Sequence, residues 1–306
     1  MVLRIKSCAE KPAHQKSTKR SIIKPMKNSY SFLLIAIIYF QFSCNTNETI
    51  KNSRDNETNN TKTNDLGLNQ TFYTDWKTLT KDFKTWYNYT YYNVNLSEDF
   101  IPLDINSVTI DKSIFLNKLM TENVIAFKTK IIKGKSVYQL YNLESKDESI
   151  IATNKQMALT EFSHYKMEGA EIPNFNFIDL NGKEYSKKST KGKIVILKCW
   201  FIGCVACVKE FPALNKLVDN YQGRNDIVFI SLALDPKENL IQFLKTREFK
   251  YVTIPQMKNY MTSDLNITQF PTHLLIDKEG KIKKVVNKIE EILPFIKIEA
   301  AEKSQR

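Results

Sequence analysis

The hydrophobic pattern changes character along the chain, and the change is sharpest near residue 168. Beyond it, apolar runs of strand length alternate with stretches of helical periodicity. Residues 194–201, IVILKCWF, are apolar at every position but Lys198, which implies a strand buried on both faces. Strands are also expected at 227–234 and 251–254. Residues 175–178 and 183–185 flank Asn181-Gly182, a two-residue hairpin signal, and 272–276 and 281–286 flank Asp277-Lys278-Glu279-Gly280 as a second hairpin. A helix is expected from Cys204 to Asn220, stopping before Gly223. Asp235-Pro236 predicts another, with Asp235 as N-cap, proline in the first turn and Glu238 at the capping-box position. A loop and short helix reach Ile267, and 288–303 form the last helix. This order predicts an α/β mixed central sheet flanked by helices, with Cys204 and Cys207 at the carboxyl end of its first central strand. Open α/β sheets carry their sites there.

Residues 66–166 follow a different rule. Phe72, Trp76, Leu79, Phe83 and Trp86 fall at helical spacing and predict one amphipathic helix. A shorter helix is expected at 113–120, a hairpin at 124–132 and 136–143 around Gly134, and a helix at 150–165. This reads as a smaller α+β accessory domain with no chemistry of its own. Its His164 is expected on a helix surface or hydrogen-bonded, and the aromatic run from Trp86 to Tyr92 is expected in the core, with a binding platform as the alternative.

The first 65 residues fit neither pattern. FLLIAIIYF at 32–40 is too short to span a bilayer but has the length of a signal-peptide core, and Met26-Lys27 supplies a basic start before it. Ser43-Cys44 follows as at a bacterial lipoprotein cleavage site, which makes Cys44 the candidate lipidated residue. Residues 45–65 hold seven Asn and five Thr with one Ile and no aromatic, so they are expected to be a disordered tether. The expected organisation is 1–44 signal segment, 45–65 tether, 66–166 accessory domain and 167–306 main domain. The signal places the mature protein outside the cytoplasm, as a membrane-anchored lipoprotein of the bacterial cell envelope facing the periplasm.

The net charge of +12 raises the question of nucleic acid, and its distribution answers it. The first 44 residues hold eight Lys/Arg against one acid, leaving 37 against 32 in the remainder. Signs alternate there as on solvated faces, without the basic stripe that phosphate binding needs.

Three of the five cysteines lie within C-W-F-I-G-C-V-A-C-V-K-E-F-P, residues 199–212. A structural zinc site needs four ligands, and no second paired motif supplies them. A Cys-x-x-Cys that follows a strand and opens a helix reads instead as a redox dithiol. Cys204 would stand at the helix N-terminus, where free amides favour a thiolate, and Cys207 would be shielded one turn in. Cys199 points to the opposite strand face from Lys198 and reads as an apolar filler.

The segment Trp200-Phe201-Ile202-Gly203-Cys204-Val205-Ala206-Cys207-Val208-Lys209-Glu210-Phe211-Pro212 resembles the W-x-x-x-C-x-x-C-x-x-E-x-P motif of the TlpA/ResA-like thioredoxin family, and the likeness extends over about residues 168–306, through Phe270-Pro271-Thr272. It implies a thioredoxin-like fold and a membrane-tethered, extracytoplasmic thiol-disulfide oxidoreductase. By the same resemblance Cys204 is the nucleophile, Cys207 the resolving thiol, Pro271 a cis-proline facing the dithiol, and Glu210 a tuner of its acidity. Oxidised client proteins are the implied partners and a membrane thiol transporter the reductant, with no cofactor beyond the dithiol. Two departures stand out: Val205-Ala206 lacks the proline common between the cysteines, and Lys198 occupies a strand position where thioredoxins keep an acid. Lys198 and Glu210 are expected to meet beneath Cys207 if that strand face looks at the helix. His273 reads as a packed neutral histidine, with contact to the dithiol as the alternative. A thiol peroxidase would want Thr or Ser where Phe201 stands, a copper-delivery protein a wider cysteine spacing, and a non-enzymatic interaction module would keep the dithiol as a relict.

Overall fold

The computed structural model describes residues 75–301. The 32–40 run, Cys44, the 45–65 tether, Phe72 and the last residues of the expected final helix lie outside them. The chain opens with α1 (Trp76–Leu79), α2 (Phe83–Asn93), β1 (Ile101–Leu103), α3 (Lys112–Thr121), β2 (Val124–Ile132), β3 (Lys135–Asn142) and α4 (Glu148–Met167). These three strands form a sheet of order β1-β3-β2, with β2 and β3 antiparallel and β1 parallel to β3.

The single helix expected through Trp76 and Trp86 is two helices. Each has its own aspartate cap: Asp75 accepts from the Lys77 amide at 3.0 Å, and Asp82 from the Thr85 amide at 2.8 Å. A capping carboxylate satisfies a first-turn amide that would otherwise lack a partner, so two aspartates start two helices. The apolar spacing survives the break, because Trp76, Leu79, Phe83 and Trp86 all join one core with Ile125, Phe127 and Ile150. The aromatic run divides: Trp86 is buried, whereas Tyr87, Tyr91 and Tyr92 are exposed. His164 also departs from expectation. It is buried, its Nδ1 has no hydrogen-bond partner, and burial followed by the nearby Lys284 charge lowers its pKa to about 4.

The second half comprises β4 (Asn176–Ile178), β5 (Glu184–Ser186), α5 (Lys187–Thr190), β6 (Ile194–Trp200), α6 (Val205–Lys209), α7 (Phe211–Asn220), β7 (Ile227–Ala233), α8 (Lys237–Leu244), β8 (Val252–Ile254), a π-helical turn (Tyr260–Asp264), β9 (Thr272–Ile276), β10 (Ile282–Val286) and α9 (Ile289–Ala301). Five strands make a mixed sheet of order β10-β9-β6-β7-β8, in which β6, β7, β8 and β10 run in one direction and β9 in the other. Strand β6 lies at the centre, buried throughout. Ile194, Ile196 and Trp200 face a core with Leu214, Leu217, Ile292 and Ile296, while Val195, Leu197 and Cys199 face a second with Phe177, Met261 and Leu265. This is the thioredoxin-like sheet that the resemblance implied. The segment after α4 closes the exposed edge of β10, with the Gly169 amide donating to Ile282 O at 2.7 Å and the Ile172 amide to Gly280 O at 2.9 Å.

Three local expectations change. The first hairpin loop runs from Asp179 to Lys183, because the Asp179 carboxylate collects the amides of Asn181 and Lys183 at 2.8 and 2.9 Å. The helix after the dithiol breaks at Glu210, which ends α6 and starts α7. Pro212 stands in the first turn of α7, where its missing N–H costs nothing, and it could not have donated within one continuous helix. Asp235 does not cap α8, whose N-cap is Pro236 without a side-chain bond. Its carboxylate is used at the redox site instead.

Candidate redox site

Strand β6 delivers the chain to a turn at residues 201–203, and Cys204 caps the short helix α6. The Cys204 amide donates to Phe201 O at 3.1 Å, and the Asp235 carboxylate accepts from the Ile202 amide at 2.8 Å. An ionised acceptor makes this a strong clamp on the turn. Gly203 leaves room for the Phe201 ring, since a Cβ there would lie 3.3 Å from it. Cys204 and Cys207 form a disulfide with 5.2 Å between Cα atoms, and the Cys207 amide donates to Cys204 Sγ at 3.1 Å. Cys204 is 8% exposed and Cys207 is fully buried, so the two cysteines differ in their access to solvent.

The Phe270–Pro271 peptide is cis. It lies beside the dithiol loop, with the Phe201 and Phe270 rings in edge contact at 5.6 Å. Asn287 holds this turn by donating from Nδ2 to Pro271 O at 2.7 Å and to Thr272 Oγ1 at 3.1 Å.

Beside the α6–α7 junction the sheet carries a buried polar row. The register aligns His273 of β9 with Lys198 of β6, and Lys198 with Ser231 of β7, which aligns in turn with Thr253 of β8. Lys198, Ser231 and His273 are fully buried, and Ser231 Oγ donates to Thr253 Oγ1 at 3.0 Å. Lys198 and His273 both reach the Glu210 carboxylate. Lys198 Nζ donates to Oε2, His273 Nε2 lies 3.1 Å from the same oxygen, and the Ile289 amide donates to Oε1 at 3.3 Å. Glu210 thus ties the α6–α7 junction to β6, β9 and the start of α9.

The charges in this cluster follow from burial and from one another. Burial, opposed by Glu210, lowers the Lys198 pKa. Burial would raise Glu210, but the His273 hydrogen bond, then the Lys198 charge and hydrogen bond, hold it below the usual carboxylate value. His273 is lowered chiefly by burial, with Lys198 adding to the effect against the Glu210 hydrogen bond. The consistent assignment is an ammonium, a carboxylate and a neutral imidazole. Because a carboxylate only accepts, the imidazole proton sits on Nε2 and leaves Nδ1, which has no partner, as an unused acceptor.

Cys199 lies on the other face of β6 as a free, buried thiol, its pKa pushed up to about 12 by burial. Of the residues singled out in the sequence, Cys204, Cys207, Glu210, Lys198 and Pro271 converge here. Asp235, Asn287 and the bond from His273 to Glu210 were not foreseen. The legible signal was a polar residue within each apolar strand, Lys198, Ser231 and His273, which spacing alone does not align. Among the described residues, no three His, Cys, Asp or Glu side chains are grouped to hold a metal ion. A cavity of about 190 Å³ lined by Val195, Leu197 and Ile276 opens on the opposite sheet face and is separate from the dithiol.

Comparison with known proteins agrees with this geometry. The AhpC/TSA family model matches residues 169–285. The chain is 34% identical to the thiol-disulfide oxidoreductase ResA of Bacillus thuringiensis subsp. konkukian over 119 residues, 38% of this chain and 68% of that protein. The chain belongs to the ResA/TlpA-like family of thiol-disulfide oxidoreductases. Identity to the ResA of Bacillus subtilis is 30% over 120 residues, 39% of this chain and 66% of that one. The thioredoxin domain of a thiol-disulfide oxidoreductase from Bacteroides vulgatus aligns with TM-score 0.39 and 24% identity over 43% of this chain and 96% of that domain. As a member of the ResA/TlpA-like family the protein is an oxidoreductase of thiols and disulfides. The family likeness begins near residue 169, after the α1–α4 region.

Proposed function

We propose that the protein is an extracytoplasmic disulfide reductase that acts on oxidised client polypeptides through Cys204 and Cys207. The observation that carries this reading is the asymmetry of the pair: Cys204 keeps 8% exposure and receives an amide hydrogen bond, whereas Cys207 is fully buried on a short helix that ends at the ion-paired Glu210. In the dithiol form the Cys204 thiolate attacks one sulfur of a client disulfide. A Cys204–client disulfide forms, the client S–S bond breaks, and the displaced client thiolate takes a proton from water. Cys207 then attacks Cys204 Sγ, re-forming the internal disulfide and releasing the second client thiol. Two electrons pass from the dithiol to the client, and a membrane thiol donor restores them.

The buried cluster acts on the second step. Lys198 favours the Cys207 thiolate and Glu210 opposes it, so their pairing sets how readily Cys207 loses its proton. His273 divides the Glu210 charge and weakens that opposition. Pro271, which has no N–H, shapes the strand alongside which a client segment would lie. The expected anchor is Cys44, lipidated after cleavage of the signal segment, with 45–65 as the tether.

A peroxidase reading is favoured only by the breadth of the AhpC/TSA family, and Phe201 offers a ring where that chemistry wants a hydroxyl. One assay tests the proposal: reduced protein is mixed with insulin and precipitation of the free chains is followed. Activity that disappears in Cys204→Ser supports it. Peroxide consumption without insulin reduction, or no turnover of either, sinks it.

A further inference from the structure

Helix α2, FKTWYNYTYYN, uses its inward positions Trp86 and Thr90 for the core and leaves three tyrosines outside. Tyr87 is 38% exposed, Tyr91 45% and Tyr92 78%. They form one connected surface: Tyr87 stacks on Tyr91 with centroids 6.1 Å apart, and Tyr92 meets Tyr91 edge-on at 5.0 Å. Rings this exposed gain little for folding stability, and a contiguous aromatic patch on a surface marks a place where something binds.

The sheet register locates this patch. Strand β10 ends at Val286, paired with His273, two residues beyond Pro271. Asn287, the next residue, holds the Pro271 carbonyl, and Ile289 donates to Glu210. Residues 286–289 therefore border the dithiol loop on the side of the cis-proline. Between Asn287 and Ile289, Lys288 reaches across to α2. Its Nζ lies 4.1 Å from the Tyr91 ring centroid and donates to Tyr91 O at 3.2 Å. The last turn of α2 is thus fastened to the rim of the redox site, and Tyr91 is already held by Lys288, Tyr87 and Tyr92. A side chain ordered in advance loses little entropy when a partner arrives.

We propose that Tyr91 and Tyr92, fixed by Lys288, form the docking surface for the polypeptide that flanks a client disulfide. The occupant is an unfolded or loosely folded oxidised chain with an aromatic or aliphatic side chain a few residues from its cysteine. This rests on the redox reading above and deepens it. Tyrosine suits the task because it offers a rigid apolar face and a hydroxyl that tolerates water. A disulfide of two small molecules has no chain to reach past Pro271 and Asn287, so the surface discriminates by size. It also gives the α1–α4 region a part in substrate selection that the thioredoxin-like half lacks.

The test compares Tyr92→Ser and Tyr91→Ser/Tyr92→Ser with wild type in the full chain, using scrambled, fully oxidised ribonuclease as the protein disulfide against oxidised glutathione. Truncating an interface anchor costs about 1 kcal/mol or more, so KM for the protein disulfide should rise roughly fivefold or beyond while kcat holds. The rate with oxidised glutathione should stay at the wild-type value. Tyr92→Ser alone decides the matter if the double variant folds poorly, since Tyr92 is nearly free of the core. Equal losses on both substrates, no loss on either, or a change of oligomeric state with no KM effect would each overturn the proposal. Wild type that reduces neither substrate removes the redox reading and the docking surface together. Wild type that reduces both, with the variants unaffected, removes the docking surface alone.

Discussion

Lys198 and Glu210 form an ion pair inside the protein, with the lysine side chain fully buried and the glutamate side chain 15% exposed. Twelve residues separate them in the chain, and the β6 face and the α6–α7 junction bring them together. A third group, His273, bonds to the same carboxylate oxygen. A lone buried charge would neutralise; the paired charges persist because each offsets the other's desolvation.

Lys198→Met leaves Glu210 supported by His273 and the Ile289 amide only. Breaking one side of a buried pair costs about 3 kcal/mol or more in stability. On the proposed role of Lys198, the Cys207 thiolate also loses the cation that favours it. Release of a trapped mixed disulfide should therefore slow at neutral pH and its pH profile move to higher pH. Stopped-flow measurement across pH checks this, and an unmoved profile would reduce Lys198 to a scaffold role.

Alkylation should order the cysteines. In the reduced protein at neutral pH, iodoacetamide should modify Cys204 first, leave Cys207 slow, and spare Cys199, whose thiol is held near a pKa of about 12 by burial. Peptide mapping after a brief pulse reads the order. Preferential labelling of Cys207 would reverse the proposed roles.

Asp235 is a positioning residue for the dithiol turn through its bond to the Ile202 amide. Asp235→Ala strands that amide, and a hydrogen bond to a charged partner is worth about 2 kcal/mol. Thermal unfolding should shift down accordingly, and Asp235→Asn, which keeps an acceptor oxygen, should recover part of the loss. An alanine variant as stable as wild type would show that water replaces the carboxylate.

His164 makes stability depend on acid. Its pKa falls from 6.5 to about 4 through burial, so the folded protein binds its proton later than the unfolded chain does. The sign follows: its contribution is intact above pH 6.5 and is lost as pH falls towards 4, by about 3 kcal/mol in all. His164→Leu should flatten the decline of unfolding free energy over that window relative to wild type. Parallel declines in the two proteins would rule His164 out.

Cys44 lies outside the described residues, and its lipidation stands on the sequence alone. Mass spectrometry of the membrane fraction should find an acylated peptide beginning at Cys44. An unmodified mature N-terminus elsewhere would remove the anchor.

Hydrophobic periodicity by itself determined the order of strands beyond residue 168, the buried character of β6 and the placing of Cys204 and Cys207 where a strand meets a helix, but it missed β1. Those features depend on contacts between near neighbours in sequence, and a period of about two or 3.6 residues records them. The break at Glu210 has a local cause too, because Pro212 has no N–H to donate within one continuous helix. What only tertiary structure decided is register and facing. Sliding β9 by one residue against β6 would turn His273 to the other core and leave Glu210 with Lys198 alone, and nothing in either strand's own pattern forbids it. Asp235 carried a strong local signal for a helix cap, yet its carboxylate accepts from the Ile202 amide across the loop, because a half-buried N–H needs an acceptor more than an accessible helix end does. Tyr91 and Tyr92 read as core from their aromatic character. Their exposure came from the face of α2 on which they fall, and their place beside the redox site from a single lysine nearly two hundred residues further along the chain.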